Sequence, residues 1–231
     1  LDLKPYMTTG FADQEAGDGK GGWTDQGAQN DLSSFDLRGE QYFESVPFDI
    51  VEPNDNGGKS AIALRQFFQG VFTEEVEIPV GQKAAGFYVI HAYSYDDSHI
   101  ATYTYEYTDG TKADVEIRKN QQIYNWWGRQ ESDVVRVIWT GENPEASSYN
   151  LQISLNMFPC VNPNPEKEIK SLRLKSESDD CAAMILAITL ADQGLYLPEA
   201  ESIYNPDTSN WYVYQQHDYE KLIGTPLDVS Y

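Results

Sequence analysis

The acidic side chains that could hold a metal ion are concentrated in one glycine-rich stretch, residues 10–32. This stretch carries five acidic residues, six glycines and the tryptophan Trp23, and it shows neither helical nor strand periodicity. Carboxylates crowded into one loop repel one another, and hard cations bind Asp carboxylates and backbone carbonyls of flexible loops. The stretch therefore predicts a structural Ca²⁺ site. Its candidate ligands are Asp13, Asp18, Asp25 and Asp31.

The same composition has a simpler interpretation. The loop can be an acidic, solvated segment in which Asp and Asn side chains cap turns through hydrogen bonds to nearby backbone groups. The spacing of the carboxylates matches no EF-hand pattern. The residue pattern alone leaves both interpretations open.

A second candidate site is the tetrapeptide Asn125-Trp126-Trp127-Gly128. Adjacent side chains of an extended segment point to opposite sides, so one indole can anchor in the core while the other faces solvent. An exposed indole offers a stacking platform for the apolar C–H face of a pyranose ring. The alternative is that both rings fill the end of the fold, because Trp is often largely buried. The candidate carbohydrate-binding residues are Asn125, Trp126, Trp127 and Trp23.

The acidic composition excludes several classes of partner. The formal net charge is −21 at pH 7, which repels nucleic-acid phosphates and anionic membrane surfaces. No apolar run approaches the ~20 residues that span a bilayer. The chain begins at Leu1 without a basic segment followed by an apolar core, so we expect a mature or trimmed chain without a signal peptide.

Catalytic motifs are missing from the sequence. It contains neither a Gly-x-Ser-x-Gly nucleophile elbow nor a phosphate-binding loop. The three histidines, His91, His99 and His217, lie far apart, and His91 fits a hydrogen-bonded residue within a strand. A glycosidase needs two carboxyl groups about 5–9.5 Å apart, and among 37 acidic residues no pair stands out. We therefore expect a noncatalytic protein.

The elements that must position these residues are short β-strands. Runs with period-two alternation, or rich in aromatic and β-branched residues, are separated by turn signals at about 8 to 12 residues, which is typical of a sandwich or barrel. Asp109-Gly110 is the strongest hairpin signal. The predicted strands are residues 1–6, 41–51, 60–68, 71–80, 86–95, 100–108, 111–118, 134–140, 150–158, 168–175 and 182–190.

The composition divides the chain into two parts. Residues 1–190 are predicted to form one all-β domain. Residues 191–231 lose the alternation and contain polar, Tyr-rich and Pro-bearing segments, which indicates a tail that wraps the sandwich or leads into another domain. A strand meander places Cys160 and Cys181 towards opposite ends of a sheet, so we expect two free thiols, against the usual pairing of cysteines in secreted proteins.

Several motifs occur along the chain in a fixed order. They are GDGKGGWTDQG (from Gly17), NDL (from Asn30), VPFDIVEP (from Val46), YTDGT (from Tyr107), NWWG (from Asn125), NPNPEKEIKSLRL (from Asn162) and AITL (from Ala187). As a set, they resemble the galactose-binding-like β-sandwich modules attached to secreted bacterial glycoside hydrolases. The final segment, GTPLDVSY, is similar to the lead-in to the catalytic barrel of such enzymes.

The resemblance implies a jelly-roll β-sandwich, a structural Ca²⁺ ion and a secreted or cell-surface location. It also implies a noncatalytic module that binds a polysaccharide or oligosaccharide beside a catalytic domain of the same chain. The alternative is a structural module that supports that domain without binding sugar, in which case Trp211, Tyr212, Tyr214 and Tyr219 would pack between domains. In either case we expect residues 10–32, here called the glycine-acid loop, to have a structural role. Any sugar contact would then lie at the edge of the sandwich that carries residues 125–127.

Overall fold

The computed structural model describes residues 1–66, 70–95 and 98–195, and this part of the chain is nearly all β. Its helical elements are the short helix α1 (Pro144–Ser148) and two 3₁₀ turns (Lys4–Tyr6 and Pro53–Asn56). Within the described residues, none of the helices has the length and apolar character needed to cross a bilayer. The strands are β1 (Gly39–Phe43), β2 (Val46–Ile50), β3 (Ile62–Leu64), β4 (Phe72–Thr73), β5 (Glu75–Gln82), β6 (Gly86–Ser94), β7 (His99–Tyr107), β8 (Lys112–Arg118), β9 (Arg136–Gly141), β10 (Ile153–Val161), β11 (Ile169–Ser176) and β12 (Ala182–Ala191).

These strands form two large sheets and one hairpin. The larger sheet has six strands in the order β4-β3-β12-β6-β10-β9, and the smaller has four in the order β5-β11-β7-β8. Strands β1 and β2 form the separate hairpin. Neighbouring strands are antiparallel except β3 and β4, which run parallel. The two large sheets pack as a sandwich, so the predicted all-β sandwich is confirmed.

The first hydrophobic core lies between the two large sheets. Strand β6 contributes Phe87 and Val89, and strand β7 contributes the stripe Tyr103, Tyr105 and Tyr107. Each Tyr hydroxyl is satisfied inside this core, as buried phenols require. Their partners are the His91 ring for Tyr103, the Cys160 carbonyl for Tyr105 and the Asn162 side chain for Tyr107. The Tyr stripe is therefore structural.

The second core covers the opposite face of the six-stranded sheet. All nine residues of β6 are buried, which requires cover on both faces, because successive side chains of a strand alternate between them. Residues 8–50, here called the N-terminal layer, supply much of that cover. The layer contributes Phe11, Trp23, Leu32, Phe35, Phe48 and Ile50 to this core.

Most predicted strands are confirmed, and three segments differ. The predicted strand 71–80 divides into β4 and β5, which belong to different sheets. Residues 4–6 form a 3₁₀ turn in place of the predicted first strand. The predicted strand 41–51 is the β1–β2 hairpin, which turns at Glu44 and Ser45, both with positive φ. Because neither residue is Gly or Asn, no local signal marked that turn. The Asp109-Gly110 hairpin joins β7 and β8 as predicted, and the tail beyond residue 195 lies outside the described residues.

The two cysteines lie in the described part of the chain, where they are buried and form no disulfide, as predicted. Cys160 pairs with Phe87 near one end of β6, whereas Cys181 precedes Ala182, which pairs with Ser94 at the other end. A strand rises about 3.3 Å per residue, so the length of β6 separates the two thiols. Burial raises the pKa of the Cys160 thiol to about 12, which leaves it protonated and unreactive.

His91 is a fully buried histidine at the centre of the first core. One ring nitrogen, Nε2, lies 2.9 Å from the Gln122 carbonyl oxygen, and the other, Nδ1, lies 3.0 Å from the Tyr103 hydroxyl. A carbonyl can only accept, so Nε2 carries the proton and Nδ1 accepts from Tyr103. Burial lowers the pKa of His91 to about 3, and the ring is neutral at physiological pH.

This histidine makes the fold sensitive to mild acid. The unfolded chain binds a proton at His91 near pH 6.5, whereas the native chain does so only near the lowered pKa of about 3. Stability from His91 is therefore complete above pH 6.5 and is lost as the pH falls towards 3. We expect a loss of about 1.3 kcal/mol between pH 7.5 and 5.5 from this residue, measured by urea unfolding.

The control for this prediction is the difference between variants. His91→Phe should be less stable at pH 7.5 but should lose the part of the pH dependence that comes from His91. His99→Gln, at a partly exposed site, should keep that dependence. If His91→Phe and the unmodified protein show the same slope of unfolding free energy against pH, the assignment of a neutral buried His91 is wrong.

Candidate functional site

Two of the predicted calcium ligands are buried and bind the backbone of their own loop. The Gly27 N–H donates to Asp13 Oδ2 at 2.9 Å, and the Asp13 N–H donates to Asp31 Oδ2 at 3.0 Å. Asp31 Oδ1 also accepts from the N–H and the hydroxyl of Ser33. Such carboxylate caps satisfy buried N–H groups that have no strand partner. Asp13 and Asp31 thus hold the loop closed.

The other two predicted ligands lie nearer the surface and also accept hydrogen bonds from backbone N–H groups of the loop. Asp18 Oδ1 accepts from the Lys20 N–H at 2.8 Å, and Asp25 Oδ1 accepts from the Gly19 N–H at 3.1 Å. Asp25 itself has a φ of +53°, a conformation that Asp tolerates better than most residues. The Asp18 bond has the two-residue spacing of the Asx turns that the simpler interpretation of the loop predicts, whereas the Asp25 bond joins residues six positions apart.

Calcium at this loop stays a prediction. In residues 1–66, 70–95 and 98–195, no group of three or more His, Cys, Asp or Glu side chains is arranged to hold a metal ion. The carboxyl group of Asp13 nevertheless has a raised pKa, chiefly through burial and in part through the charges of Asp25 and Asp18. Ionised Asp13 is therefore destabilised where it lies, and a nearby cation would relieve this.

The same loop forms one wall of an open groove of about 870 Å³. Three loops approach one another there through glycine backbone, with Gly10 against Gly58 and Gly19 against Gly70. A Cβ on Gly10, for example, would lie 2.5 Å from the Gly58 carbonyl oxygen, so only glycine permits the approach. The charged side chains that line the groove are Asp18, Lys20, Asp25 and Lys59.

Two of the predicted sugar-stacking rings belong to the second core. Trp23 is fully buried and Trp126 is 2% exposed. Their rings meet edge to face, with centroids 5.2 Å apart and an interplanar angle of 71°. This geometry is a favourable aromatic pair inside a core. Neither ring offers a face to solvent, so their proposed role in stacking on sugar does not fit the structure.

The third predicted ring, Trp127, lies at the surface beside a residue that the sequence did not single out. Trp127 is partly buried, and its ring centroid lies 5.5 Å from that of Tyr149, at an interplanar angle of 39°. Tyr149 is 62% exposed. We call this pair, Trp127 and Tyr149, the aromatic platform. The alternation predicted for Trp126 and Trp127, one inward and one outward, matches these exposures.

The backbone around Trp127 is fixed on both sides. The Trp126 N–H donates to the Tyr93 carbonyl at 3.0 Å, and the Trp126 carbonyl accepts from the Ser154 N–H at 2.7 Å. On the other side, the Gly128 N–H donates to the Gln152 carbonyl at 2.6 Å. The segment thus runs between the end of β6 and the start of β10, which holds the Trp127 backbone rigidly.

Asn125, the fourth predicted sugar-binding residue, is committed to the protein backbone. Its Oδ1 accepts from the Trp127 N–H at 2.8 Å, and its Nδ2 donates to the Tyr95 carbonyl at 3.3 Å. Asn125 therefore shapes the turn that presents Trp127.

Two further asparagines, neither of them among the predicted site residues, complete the site. The Trp127 indole Nε1–H donates to Asn30 Oδ1 at 3.0 Å, and Asn143 Nδ2 donates to the same oxygen at 3.0 Å. Asn143 is the N-cap of α1, where its Oδ1 accepts from the Ala146 N–H. The only local signal was the Asn-Pro pair that opens α1, a known helix start.

Comparisons with known proteins add little to this geometry. No protein-family model matches the chain, and no curated protein matches it. Among solved structures, one described as "Structural and functional characterization of Pseudomonas aeruginosa AlgX" is similar over 57% of this chain, with 11% identity and a TM-score of 0.28. The matched region spans 26% of that chain. A likeness of this size carries no argument about fold or function.

The buried carboxylates of the loop should matter more for stability than the exposed ones. Asp13→Ala leaves the buried Gly27 N–H without an acceptor, so we expect a loss of about 1–3 kcal/mol in unfolding free energy. Asp18→Ala removes only an exposed hydrogen bond and should cost less than about 0.5 kcal/mol. Urea unfolding followed by Trp fluorescence, in the presence of a chelator, measures both. Equal losses for the two variants would contradict the structural role of Asp13.

Proposed function

We propose that this chain is a noncatalytic carbohydrate-binding module with a galactose-binding-like jelly-roll fold, carried by a secreted or cell-surface glycoside hydrolase. The aromatic platform is the observation that carries the proposal, because it sets the exposed Tyr149 ring beside the partly exposed ring of Trp127, whose backbone is held on both sides. The two packed, mainly antiparallel sheets support the fold class, and the motif set of the sequence supports the association with a catalytic domain of the same chain. Hydrolysis belongs to that neighbouring domain.

The chemistry around the platform favours an uncharged ligand that stacks. The indole N–H of Trp127 and both ends of the Asn125 side chain are bound to the protein itself. The platform therefore offers ring faces more than hydrogen-bonding groups, which suits the apolar C–H face of a pyranose. The net charge of −21 opposes a polyanionic chain at low salt. A neutral polysaccharide or oligosaccharide is the ligand class that these features fit.

Stacking by two rings gives modest affinity. Micromolar to millimolar binding corresponds to about 4–8 kcal/mol. Such affinity suffices for a module that is tethered to a catalytic domain, because the tether raises the effective concentration of the enzyme at a polymeric substrate.

The proposal includes one structural Ca²⁺ ion at the glycine-acid loop, bound through carboxylates of Asp13, Asp18, Asp25 and Asp31 and through loop carbonyls. Support comes from the raised pKa of Asp13, which burial causes first and the neighbouring charges of Asp25 and Asp18 increase further, because a cation beside this carboxylate would stabilise its ionised form. An ion there would hold the N-terminal layer on the six-stranded sheet and would take no part in sugar contact.

The first test removes the platform rings one at a time. Trp127→Ala and Tyr149→Ala should each weaken binding to a neutral polysaccharide by about 10-fold or more, because each removes a stacking surface worth roughly 1.5–3 kcal/mol. The matched control is Tyr42→Ala, which removes another highly exposed tyrosine, 64% exposed, from the β1–β2 hairpin. Affinity gel electrophoresis and calorimetry against a panel of neutral and anionic glycans provide the measurement.

Each outcome of this test decides between the two functions. Loss of binding in both platform variants, with Tyr42→Ala unchanged, supports the proposal. Binding that survives both platform substitutions would place the sugar elsewhere. No binding by the unmodified chain across the whole panel would leave the module as a structural support for its neighbouring domain.

The calcium site has a separate test. A ligand that binds only the native state stabilises it by about 2.7 kcal/mol at 100 times its dissociation constant. We expect the melting temperature to rise with excess Ca²⁺ and to fall with a chelator. The combined Asp18→Asn and Asp25→Asn variant should lose that response while it keeps its fold. A melting temperature that a chelator leaves unchanged would remove calcium from the proposal.

A further inference from the structure

We propose that Asn30 is the positioning residue of the aromatic platform, because one oxygen atom of its side chain links the two elements that carry the rings. The inference rests on the proposed function for its consequence in sugar binding. Its structural part, the control of ring geometry, stands without a ligand. The role requires an acceptor oxygen at this point and does not require the amide group as such.

The two rings of the platform come from different parts of the chain. Trp127 lies on the segment between β6 and β10, whereas Tyr149 is the C-cap of α1. The two rings contact each other by packing alone, with their centroids 5.5 Å apart. Their mutual angle therefore depends on how α1 is placed relative to Trp127.

Asn30 Oδ1 is the atom that links these two elements. It accepts the Trp127 indole N–H at 3.0 Å and the Nδ2–H of Asn143, the N-cap of α1, also at 3.0 Å. Two further bonds dock α1 on the same part of the N-terminal layer. Asn143 Nδ2 lies 3.3 Å from the Asp31 carbonyl, and the Glu145 N–H donates to the Gln29 carbonyl at 2.9 Å.

Asn30 is itself held in place by the glycine-acid loop. Its side chain is buried, with the residue 6% exposed. Its N–H donates to the Gly27 carbonyl at 3.0 Å, and its carbonyl accepts from the Thr24 hydroxyl at 2.9 Å. Gly27 is in turn capped by Asp13. A continuous set of hydrogen bonds thus runs from the loop to the Trp127 ring.

An indole N–H without an acceptor would let the ring of Trp127 leave its present orientation. The Trp127 backbone is fixed, but its ring is only partly buried, so packing alone holds it less firmly than a core ring. The bond to Asn30 removes this freedom before a ligand arrives. Pre-ordering of a contact side chain improves affinity because less conformational entropy is lost on binding.

Three variants separate the acceptor role from simple packing. Asn30→Ala removes the oxygen. Asn30→Asp keeps it, replaces the donor to Gln26 with an acceptor that the Gln26 amide can meet by rotating, and adds a negative charge that faces the N–H donors of Trp127 and Asn143. The matched control is Asn54→Ala, at an exposed position on a 3₁₀ turn. All variants are made in the full 231-residue chain.

The first readout needs no ligand. In a ¹⁵N-correlated spectrum, Trp127→Phe identifies the indole signal of Trp127. In the unmodified protein, exchange of this indole proton with solvent should be slower than that of Trp139, which is also partly buried and whose indole nitrogen shows no hydrogen bond among the described residues. Asn30→Ala should speed its exchange by about 3- to 10-fold, whereas Asn30→Asp and Asn54→Ala should leave it protected.

The second readout is affinity for the neutral glycan that the unmodified chain binds best. Asn30→Ala should weaken binding by about 3- to 10-fold, and Asn30→Asp should restore it to within about 2-fold. A Trp127 indole that exchanges as fast as Trp139 in the unmodified protein would overturn the proposal even if Asn30→Ala fails to fold. An unchanged exchange rate of the Trp127 indole proton in Asn30→Ala would also overturn the proposal, and so would an Asn30→Asp variant that behaves like Asn30→Ala. If no glycan binds, the proposed function fails while the exchange results still decide the role of Asn30.

Discussion

The six-stranded sheet is buried on both faces, and the rest of the structure follows from this constraint. Strand β6 has no exposed residue along its nine positions, and β10 is buried at its first eight. The four-stranded sheet covers one face only. A second layer must therefore cover the other, and the N-terminal layer does this with little regular secondary structure of its own. Its backbone N–H groups need acceptors other than strand partners.

That need explains the composition of the glycine-acid loop. Glycines permit the close backbone contacts and positive φ angles of a tightly folded loop, and Asp carboxylates accept from N–H groups that no neighbouring strand can satisfy. Asp13 and Asp31 accept from N–H groups in the buried part of the loop, and Asp18 and Asp25 accept from N–H groups nearer its surface. A metal-binding loop and a self-capping loop thus call for the same residue types, so composition could not separate the two.

Local signals predicted most of the fold, whereas the site depends on contacts between distant segments. The hairpin at Asp109-Gly110 was predictable from its turn residues, and the strands β6 and β12 from their runs of apolar residues, because these signals lie in consecutive positions. The pairing of Trp23 with Trp126 joins residues far apart in sequence, and it became necessary only because the N-terminal layer covers the sheet. Tyr149 carried no pattern of its own, since its exposure follows from the end of α1.

The layer that satisfies the burial constraint also produces the surface proposed to bind sugar. Trp23 packs against Trp126 on the inner side, and a few residues later Asn30 receives the indole N–H of Trp127 on the outer side. The same short segment therefore anchors both members of the Trp126-Trp127 pair, one by packing and the other by a hydrogen bond. Because the polar groups of Trp127 and Asn125 are used to build this rigid mount, they are not available to read hydroxyl stereochemistry. If it binds sugar as proposed, a platform of this kind would discriminate by ring shape and chain length more than by individual hydroxyl groups.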